Sequence, residues 1–391
     1  MENVQAWVLP AGPQDRSGGP VRGELTLTRI PVASPGEDEV LVESLVGCWE
    51  ANMEHALARS PVDIVRQRGE EQIVIGTCGV VRVLSTGSAV RGLREGQECL
   101  WIPFGQADRN GYAETICAYD APGSPGLLAE RMVVPADRLV PLPADGRYPL
   151  ERWAPFARYF TAWDNWRVTS RCWRSQVDDA WDEQPLVLGW GGGVVFAELE
   201  LARREGFRTA MVSGRESRLK EIAASGAIAV DRREFPDLDY LRAKESTDPD
   251  AMDRYRASEA RFLEIVGELS GGHGVSVFLD NLGGGLHRAT MKSLAREGVV
   301  STVGWKTGMR LWNLRATECI SRHIHVHTHA WRLQDAPRIR DVMQETGWLP
   351  DIADDPVTPF ARVPELADAY RRDDLDTYFP LFSGAGRGLT R

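Results

Sequence analysis

The chain reads as an α/β protein, a β-rich N-terminal unit followed by a doubly wound parallel sheet. Three observations predict this. Short alternating runs broken by Pro, Gly and Asp fill residues 21 to about 145. From residue 185 apolar strands alternate with helical segments, the pattern of parallel βαβ units. The first of those strands runs into glycines, Gly189-Trp190-Gly191-Gly192-Gly193.

The first strands are GELTLTRIPV, EVLVESLVG and AERMVVP, and residues 76–101 read as strand, turn and strand. Helical spacing and aromatics begin at ERWAPFARYFTAWDNW. PLVLGW is then a buried strand, VVFAELELARREG a helix, TAMVS a strand and ESRLKEIAASGA a helix leading to a short strand. Residues 236–262 are polar and charged and are expected to form a helical insertion on the surface. VSVFLDN, EGVVSTVG and HIHVH complete the alternation, and the C-terminal residues return to mixed short elements. The expected domains are residues 1–160 completed by 336–391, and residues 161–335.

The 391 residues carry a formal charge of −10, with 43% hydrophobic and 26% charged residues. That suits a soluble globular chain and argues against nucleic acid or an anionic membrane as partner, since both call for a basic face. No apolar run approaches the ~20 residues that span a bilayer, and MENVQAWVLPAGPQDRSGG lacks the layout of a signal peptide. A cytoplasmic location is expected. The six cysteines, Cys48, Cys78, Cys99, Cys117, Cys172 and Cys319, show no paired spacing, which predicts reduced thiols. Of thirteen tryptophans, Trp153, Trp163, Trp166, Trp173, Trp181 and Trp190 crowd one stretch and are expected to anchor the core.

The glycine loop falls between strand and helix, where a dinucleotide's pyrophosphate binds. Gly189, Gly191, Gly192 and Gly193 allow close backbone approach, and a helix N-terminus offers unpaired N–H groups. The alternative is a tight turn without ligand. Val194 stands where a small third residue would let helix and strand pack closely. The second strand ends Val212-Ser213-Gly214-Arg215, with Arg218 beyond. An NAD site places an acid there for the ribose 2′-hydroxyl. Arginines in its place favour a 2′-phosphate, hence NADPH; alternatively they solvate the next helix.

His323, His325, His327 and His329 alternate, so one strand would project all four on one face. They could hold a metal, or line a cleft or a subunit edge. A histidine that titrates near neutrality suits proton donation or the ordering of a water.

ARSPVDIV (58–65), GSAVRGLREGQECLW (87–101), WGGGVVF (190–196) and ESRLKEIAASGAIAVDRREF (216–235) resemble the crotonyl-CoA carboxylase/reductase branch of the medium-chain dehydrogenases/reductases. So do YRASEARFLEIVGELSGGHGVSVFLDN (255–281) and LRATECISRHIHVHTHAWRL (314–333), and the likeness runs from about residue 21 to 345. It implies a GroES-like catalytic domain joined to a Rossmann domain, and NADPH-driven reduction of an α,β-unsaturated thioester. The resulting enolate can capture carbon dioxide in a pocket of an Asn, an aromatic residue followed by Glu, and a His. His329 matches that histidine, and Tyr119-Asp120 in CAYDAPGS stand in for the aromatic–Glu pair. The asparagine does not carry over: its stretch reads Gly47-Cys48-Trp49, and Asn52 lies three residues on. That implies protonation rather than carboxylation.

Asp120 is the candidate to orient His329 or act as the acid; its alternative role is a loop cap before Pro122. Asn281, after a buried strand, falls where nucleotide-binding folds contact the nicotinamide ribose, and Thr161, expected to begin a helix entering the cofactor domain, is a candidate to bond nicotinamide or phosphate. Arg315 and Arg322 fall at basic positions that meet an acyl carrier's phosphates, or else form surface salt bridges. Cys48 lies near the first zinc ligand of related alcohol dehydrogenases, but Gly76-Thr77-Cys78-Gly79 offers neither the His nor the Glu zinc needs there. The expectation is a zinc-independent enzyme with Cys48 as a small buried residue. Two other readings stay open, a carbonyl or quinone reductase and a member that has lost catalysis and only binds. The expected partners are a small-molecule or acyl-thioester substrate and further copies of the chain, as a homodimer or homotetramer.

Overall fold

Alternating side chains build the N-terminal unit of the computed structural model, which describes residues 2–13, 20–177, 185–304, 311, 313–328, 331–352 and 355–385. Two compact units emerge, Met1–Phe160 with Trp331–Arg391, and Thr161–Ala330. The first opens on a strand. Glu2–Pro10 pairs antiparallel with Thr26–Val32 along its length and with Gln72–Ile73 at its end. Its inward residues Val4, Ala6 and Val8 are buried.

Strand Glu39–Cys48 organises the larger sheet of this unit. It pairs antiparallel with Gly79–Thr86, Arg131–Pro135 and the late strand Leu381–Ser383. Glu98–Trp101 and Leu139–Pro141 extend it beyond Gly79–Thr86. The close pass of the late strand requires a glycine, because a β-carbon at Gly47 would collide with the Phe382 ring. Tyr159 packs edge-on against Trp348 at 4.8 Å, and Phe160 stacks flat on Trp331 at 5.1 Å.

The second unit opens with helix α1 (Phe156–Arg174), which begins in the first unit. Strand β1 (Leu186–Trp190) leads to α2 (Gly193–Arg204), β2 (Arg208–Ser213), α3 (Glu216–Ala224) and β3 (Ile228–Asp231). Helices α4 (Tyr240–Glu245) and α5 (Ala251–Ser270) cross to β4 (Val275–Asp280), and α6 (His287–Ser293), β5 (Leu294–Ser301) and β6 (His325–His327) follow. All pairs are parallel and the sheet order is β3-β2-β1-β4-β5-β6. Order 3-2-1-4-5-6 is the doubly wound nucleotide-binding arrangement, with its ligand crevice at the carboxyl ends of β1 and β4. Every residue of β1 and β4 is buried, as a strand covered on both faces must be. Trp153, Trp166, Trp173 and Trp190 are buried and Trp163 half-buried; Trp181 lies outside the described residues. Among the described residues no helix is long and apolar enough to cross a membrane.

Three expectations change. Residues 236–262 are helical, yet α5 is a crossover helix and no surface insertion: Tyr255, Phe262, Ile265 and Val266 join the core under the sheet. Its charges, such as Asp253, Arg256 and Arg261, fill the outward face and masked that stripe in the sequence. The three described histidines do not share one strand face: His325 and His327 lie in β6, and His323 has φ +55°, which breaks the extended run, while His329 lies outside the described residues. Thr161 sits in the second turn of α1 instead of starting it.

Candidate cofactor and active site

At the end of β1, Trp190 is buried and its Nε1 donates to Asp280 Oδ1 at 2.9 Å. Gly191 follows with φ +154°, and a β-carbon there would lie 2.8 Å from Val195 Cγ2 and 3.1 Å from Asn281 Cβ. Only glycine fits. Gly192 is the exposed N-cap of α2, without a side-chain cap, and Gly193 opens the helix. The first-turn N–H groups therefore face a bare backbone, the arrangement an anion needs. Close packing of helix on strand is made by Val195, whose Cγ1 would lie 2.5 Å from a β-carbon at Gly189. Val194 is half-buried and does not loosen the contact.

At the end of β2, Ser213 is buried and its Oγ accepts from Arg215 N at 3.4 Å. Arg215 caps α3 and Arg218 lies in its first turn, both half-buried. A β-carbon at Gly214 would sit 3.8 Å from Arg232 Cβ, so a further arginine borders this end. Glu216, in the first turn of α3, pairs with Arg233 at 3.2 Å, and Arg233 also pairs with Asp231.

The end of β4 holds a cluster that sequence reasoning missed. Asp280 is fully buried and accepts from Trp190, from Leu282 N (3.1 Å), from Gly283 N (2.7 Å) and from Thr290 Oγ1 (2.8 Å). His287 Nδ1 lies 3.4 Å from Asp280 Oδ2, and its Nε2 is 3.1 Å from Asn313 Oδ1. Burial pushes the Asp280 carboxyl up, but its donors outweigh burial and hold it below the usual range. Burial pushes His287 down, and Asp280 with Asn313 outweighs that too, so His287 leans toward the cation. Beside it, Asn281 N donates to Trp190 O at 3.3 Å and its Oδ1 accepts from Val303 N at 3.3 Å. Asn281 thus ties the glycine loop to the segment after β5. Trp190 stands 90 residues from Asp280, so no local pattern announces the cluster.

Between α1 and α2, Asn165 Nδ2 donates to Glu198 Oε1, and both residues are fully buried. Burial without a cation pushes Glu198 up to about 8. Asn165 Oδ1 and Glu198 Oε2 find no partner among the described residues.

In the first unit, Tyr119 is buried, and burial pushes its phenol up. Its carbonyl accepts from Arg68 Nη1 at 3.3 Å. Asp120 Oδ1 accepts from Ile116 N at 2.6 Å and so caps its own loop. His329 lies outside the described residues. Trp49 is fully buried, and Glu50 caps helix Ala51–Ala58 by accepting from Asn52 N at 3.0 Å and from Thr77 Oγ1 at 2.7 Å. Arg322 Nη1 donates to Met291 O at 2.8 Å, whereas Arg315 is exposed. Among the described residues no group of three or more His, Cys, Asp or Glu could hold a metal ion.

No protein-family model matches the chain, and no curated protein matches it. Solved structures do. The crotonyl-CoA carboxylase/reductase AntE, in complex with NADP, superposes with a TM-score of 0.76 at 20% identity, covering 99% of this chain and 96% of that one. The 2-octenoyl-CoA carboxylase reductase CinF, in complex with NADP and 2-octenoyl-CoA, gives 0.75 at 17%, covering 100% and 89%. A thermostable alcohol dehydrogenase from Pyrobaculum aerophilum gives 0.70 at 17%, covering 98% and 100%. The chain is built on the fold that these carboxylase/reductases and alcohol dehydrogenases share.

Proposed function

We propose that the chain is an NADPH-dependent reductase of an enoyl thioester or a related conjugated carbonyl, and that it carboxylates poorly. The observation that carries this reading is the glycine loop at the carboxyl ends of β1 and β4, with arginines in place of an acid at the end of β2. AntE and CinF, whose fold the chain shares, were solved with NADP bound, and CinF with 2-octenoyl-CoA as well.

The residues present fit that cofactor. Gly189 and Gly191 keep the strand end and loop bare, and the N–H groups from Gly192 and Gly193 onward suit a pyrophosphate. Ser213, Arg215 and Arg218 suit a 2′-phosphate through charge-assisted hydrogen bonds. Asn281 and Thr161 are the candidates for the nicotinamide end. NADPH supplies a hydride to the β-carbon of the substrate. The chain's own residues orient the acceptor, stabilise the enolate charge and deliver a proton. His329 is the candidate proton donor, Asp120 the candidate to orient it or to act as the acid, and Tyr119 the candidate aromatic residue of the pair.

Carbon dioxide is uncharged, so trapping it beside an enolate takes several fixed donors. Gly47-Cys48-Trp49 carries no side-chain amide, and Asn52 lies inside a helix. One missing donor costs roughly 2.7–4 kcal/mol at a transition state, about a hundredfold or more in rate.

NADPH oxidation against a panel of enoyl-CoA thioesters, free enones, quinones and aldehydes, with labelled bicarbonate, tests the reading. Turnover on an enoyl thioester to an unlabelled saturated product supports it. Predominant label in an alkylmalonyl product overturns the carboxylation part. Turnover confined to free carbonyls or quinones favours the carbonyl-reductase reading, which the shared alcohol dehydrogenase fold supports. Tight NADPH binding without turnover favours a binding protein.

A further inference from the structure

Two of the six cysteines face each other in the N-terminal unit. Cys48 ends strand Glu39–Cys48, and Cys78 directly precedes strand Gly79–Thr86. The ladder pairs Gly47 with Gly79, and one rung on Cys48 N donates to Cys78 O at 2.8 Å. Opposed residues of an antiparallel pair point to the same face, with Cα atoms about 5.5 Å apart where the pair is hydrogen-bonded. Disulfides take Cα separations of roughly 4.4–6.8 Å. In the reduced protein the Cys48 thiol donates to Trp49 O at 3.6 Å and the Cys78 thiol to Ala154 O at 3.2 Å, so closing the bond takes a rotation of both side chains.

The surroundings set this pair apart from the other buried thiols. Arg158 is buried, with Nη1 held by Tyr378 O at 2.7 Å and 3.7 Å from Cys48 Sγ. The Phe379 ring lies 5.3 Å from the same guanidinium. Burial pushes Cys99 up to about 12 and raises Cys117. It pushes Cys48 up too, but the neighbouring Cys78 thiol and the Arg158 charge outweigh it, and the net shift of Cys48 is downward. Cys78 shifts strongly up. The Arg158 guanidinium stands beside the Cys48 sulfur, which marks Cys48 as the attacking cysteine and Cys78 as the resolving one.

We propose that Cys48 and Cys78 form a peroxide-responsive dithiol that closes to a disulfide. The Cys48 thiolate attacks one oxygen of hydrogen peroxide; the O–O bond breaks, and hydroxide leaves and takes up a proton as water. Cys48 is then a sulfenic acid. Cys78, giving up its proton, attacks the Cys48 sulfur and displaces hydroxide as a second water. Two thiols are oxidised by two electrons and one peroxide is reduced. Full burial, 0% exposure at Cys48 and 1% at Cys78, selects a small uncharged oxidant over bulky disulfides. The bond would staple the end of one strand to the loop Gly76-Thr77-Cys78, whose Thr77 hydroxyl already holds Glu50.

The test uses the full chain, reduced and freed of reductant, with exposed Cys319 blocked beforehand by an alkylating reagent. Hydrogen peroxide should make the protein lighter by the mass of two hydrogen atoms, reversibly with dithiothreitol, and peptide mapping should link Cys48 to Cys78. Cys78→Ser should leave Cys48 as a sulfenic acid, trapped by dimedone present as the protein is denatured. Arg158→Gln should slow the reaction at least tenfold and Arg158→Lys much less, with circular dichroism confirming that both fold. The proposal is overturned if Cys48 and Cys78 are still alkylated on denaturation after peroxide, if the linked peptides contain another cysteine, or if Cys78→Ser yields no dimedone adduct.

Discussion

Single side chains decide two separate questions. Arg215 and Arg218 flank the end of β2, where an acid would select NADH, and Glu216 is already paired with Arg233. Arg215→Ala should weaken NADPH binding about tenfold, near 1.4 kcal/mol, and leave NADH unchanged, as read by calorimetry. Equal wild-type affinities for the two cofactors would sink the assignment. Glu198 poses a question of stability. Its folded pKa is about 8 against an ordinary 4.5. The folded chain therefore binds a proton that the unfolded chain releases, so its contribution is whole below about pH 4.5 and is lost as pH rises to about 8. The linkage amounts to a few kcal/mol in order of magnitude. A neutral Glu198 has an O–H to offer the partnerless Asn165 Oδ1; an ionised one has none. Glu198→Gln keeps the shape and supplies N–H donors at every pH. Chemical denaturation from pH 5 to 9 should show the wild type losing stability relative to Glu198→Gln, and parallel curves would refute the assignment.

Elements were legible where burial wrote a period into the chain. The strands within PLVLGW and VSVFLDN are buried throughout and mostly apolar because the sheet is covered on both faces, and their alternation with helices announced the parallel order. Glu2–Pro10 escaped notice because its partners Thr26–Val32 and Gln72–Ile73 lie well along the chain. The glycine loop was legible for the same reason as the strands: backbone geometry restricts residue type. The Asp280 cluster was not, since its members join only when β1, β4 and α6 come together. The loop also separates shape from binding. Gly191→Ala places a β-carbon at φ +154° against Val195 and Asn281. It should cost about 1–3 kcal/mol of stability and abolish tight NADPH binding. Gly192 has φ −108°, ordinary for any residue. Gly192→Ala should leave the melting temperature nearly unchanged yet weaken NADPH severalfold, by crowding the phosphate approach. A Gly192→Ala variant with wild-type affinity in calorimetry would move the pyrophosphate away from this loop.

For the whole molecule, the open question is what covers the edge of the second unit. Among the described residues strand β6 is the last in its sheet, bonded to β5 on one side. A free strand edge is a template for another strand, and proteins usually blunt it with charge or proline. Here the strand reads His325-Val326-His327, and Val326 is 43% exposed. Leu314 and Ile320, just before it, are 63% and 60% exposed. An antiparallel pairing of β6 with the same strand of a second copy needs one patch that complements itself, as a two-fold axis provides. It also turns two six-stranded sheets into one and covers the unpaired backbone groups. We therefore expect a homodimer through β6. Sedimentation velocity at micromolar concentration should show a dimer, and Val326→Lys should shift it toward monomer while circular dichroism stays unchanged. Lysine is the substitution that natural edge strands use against such pairing. A wild type that sediments as monomer, or a dimer that survives Val326→Lys intact, would place the contact elsewhere or remove it.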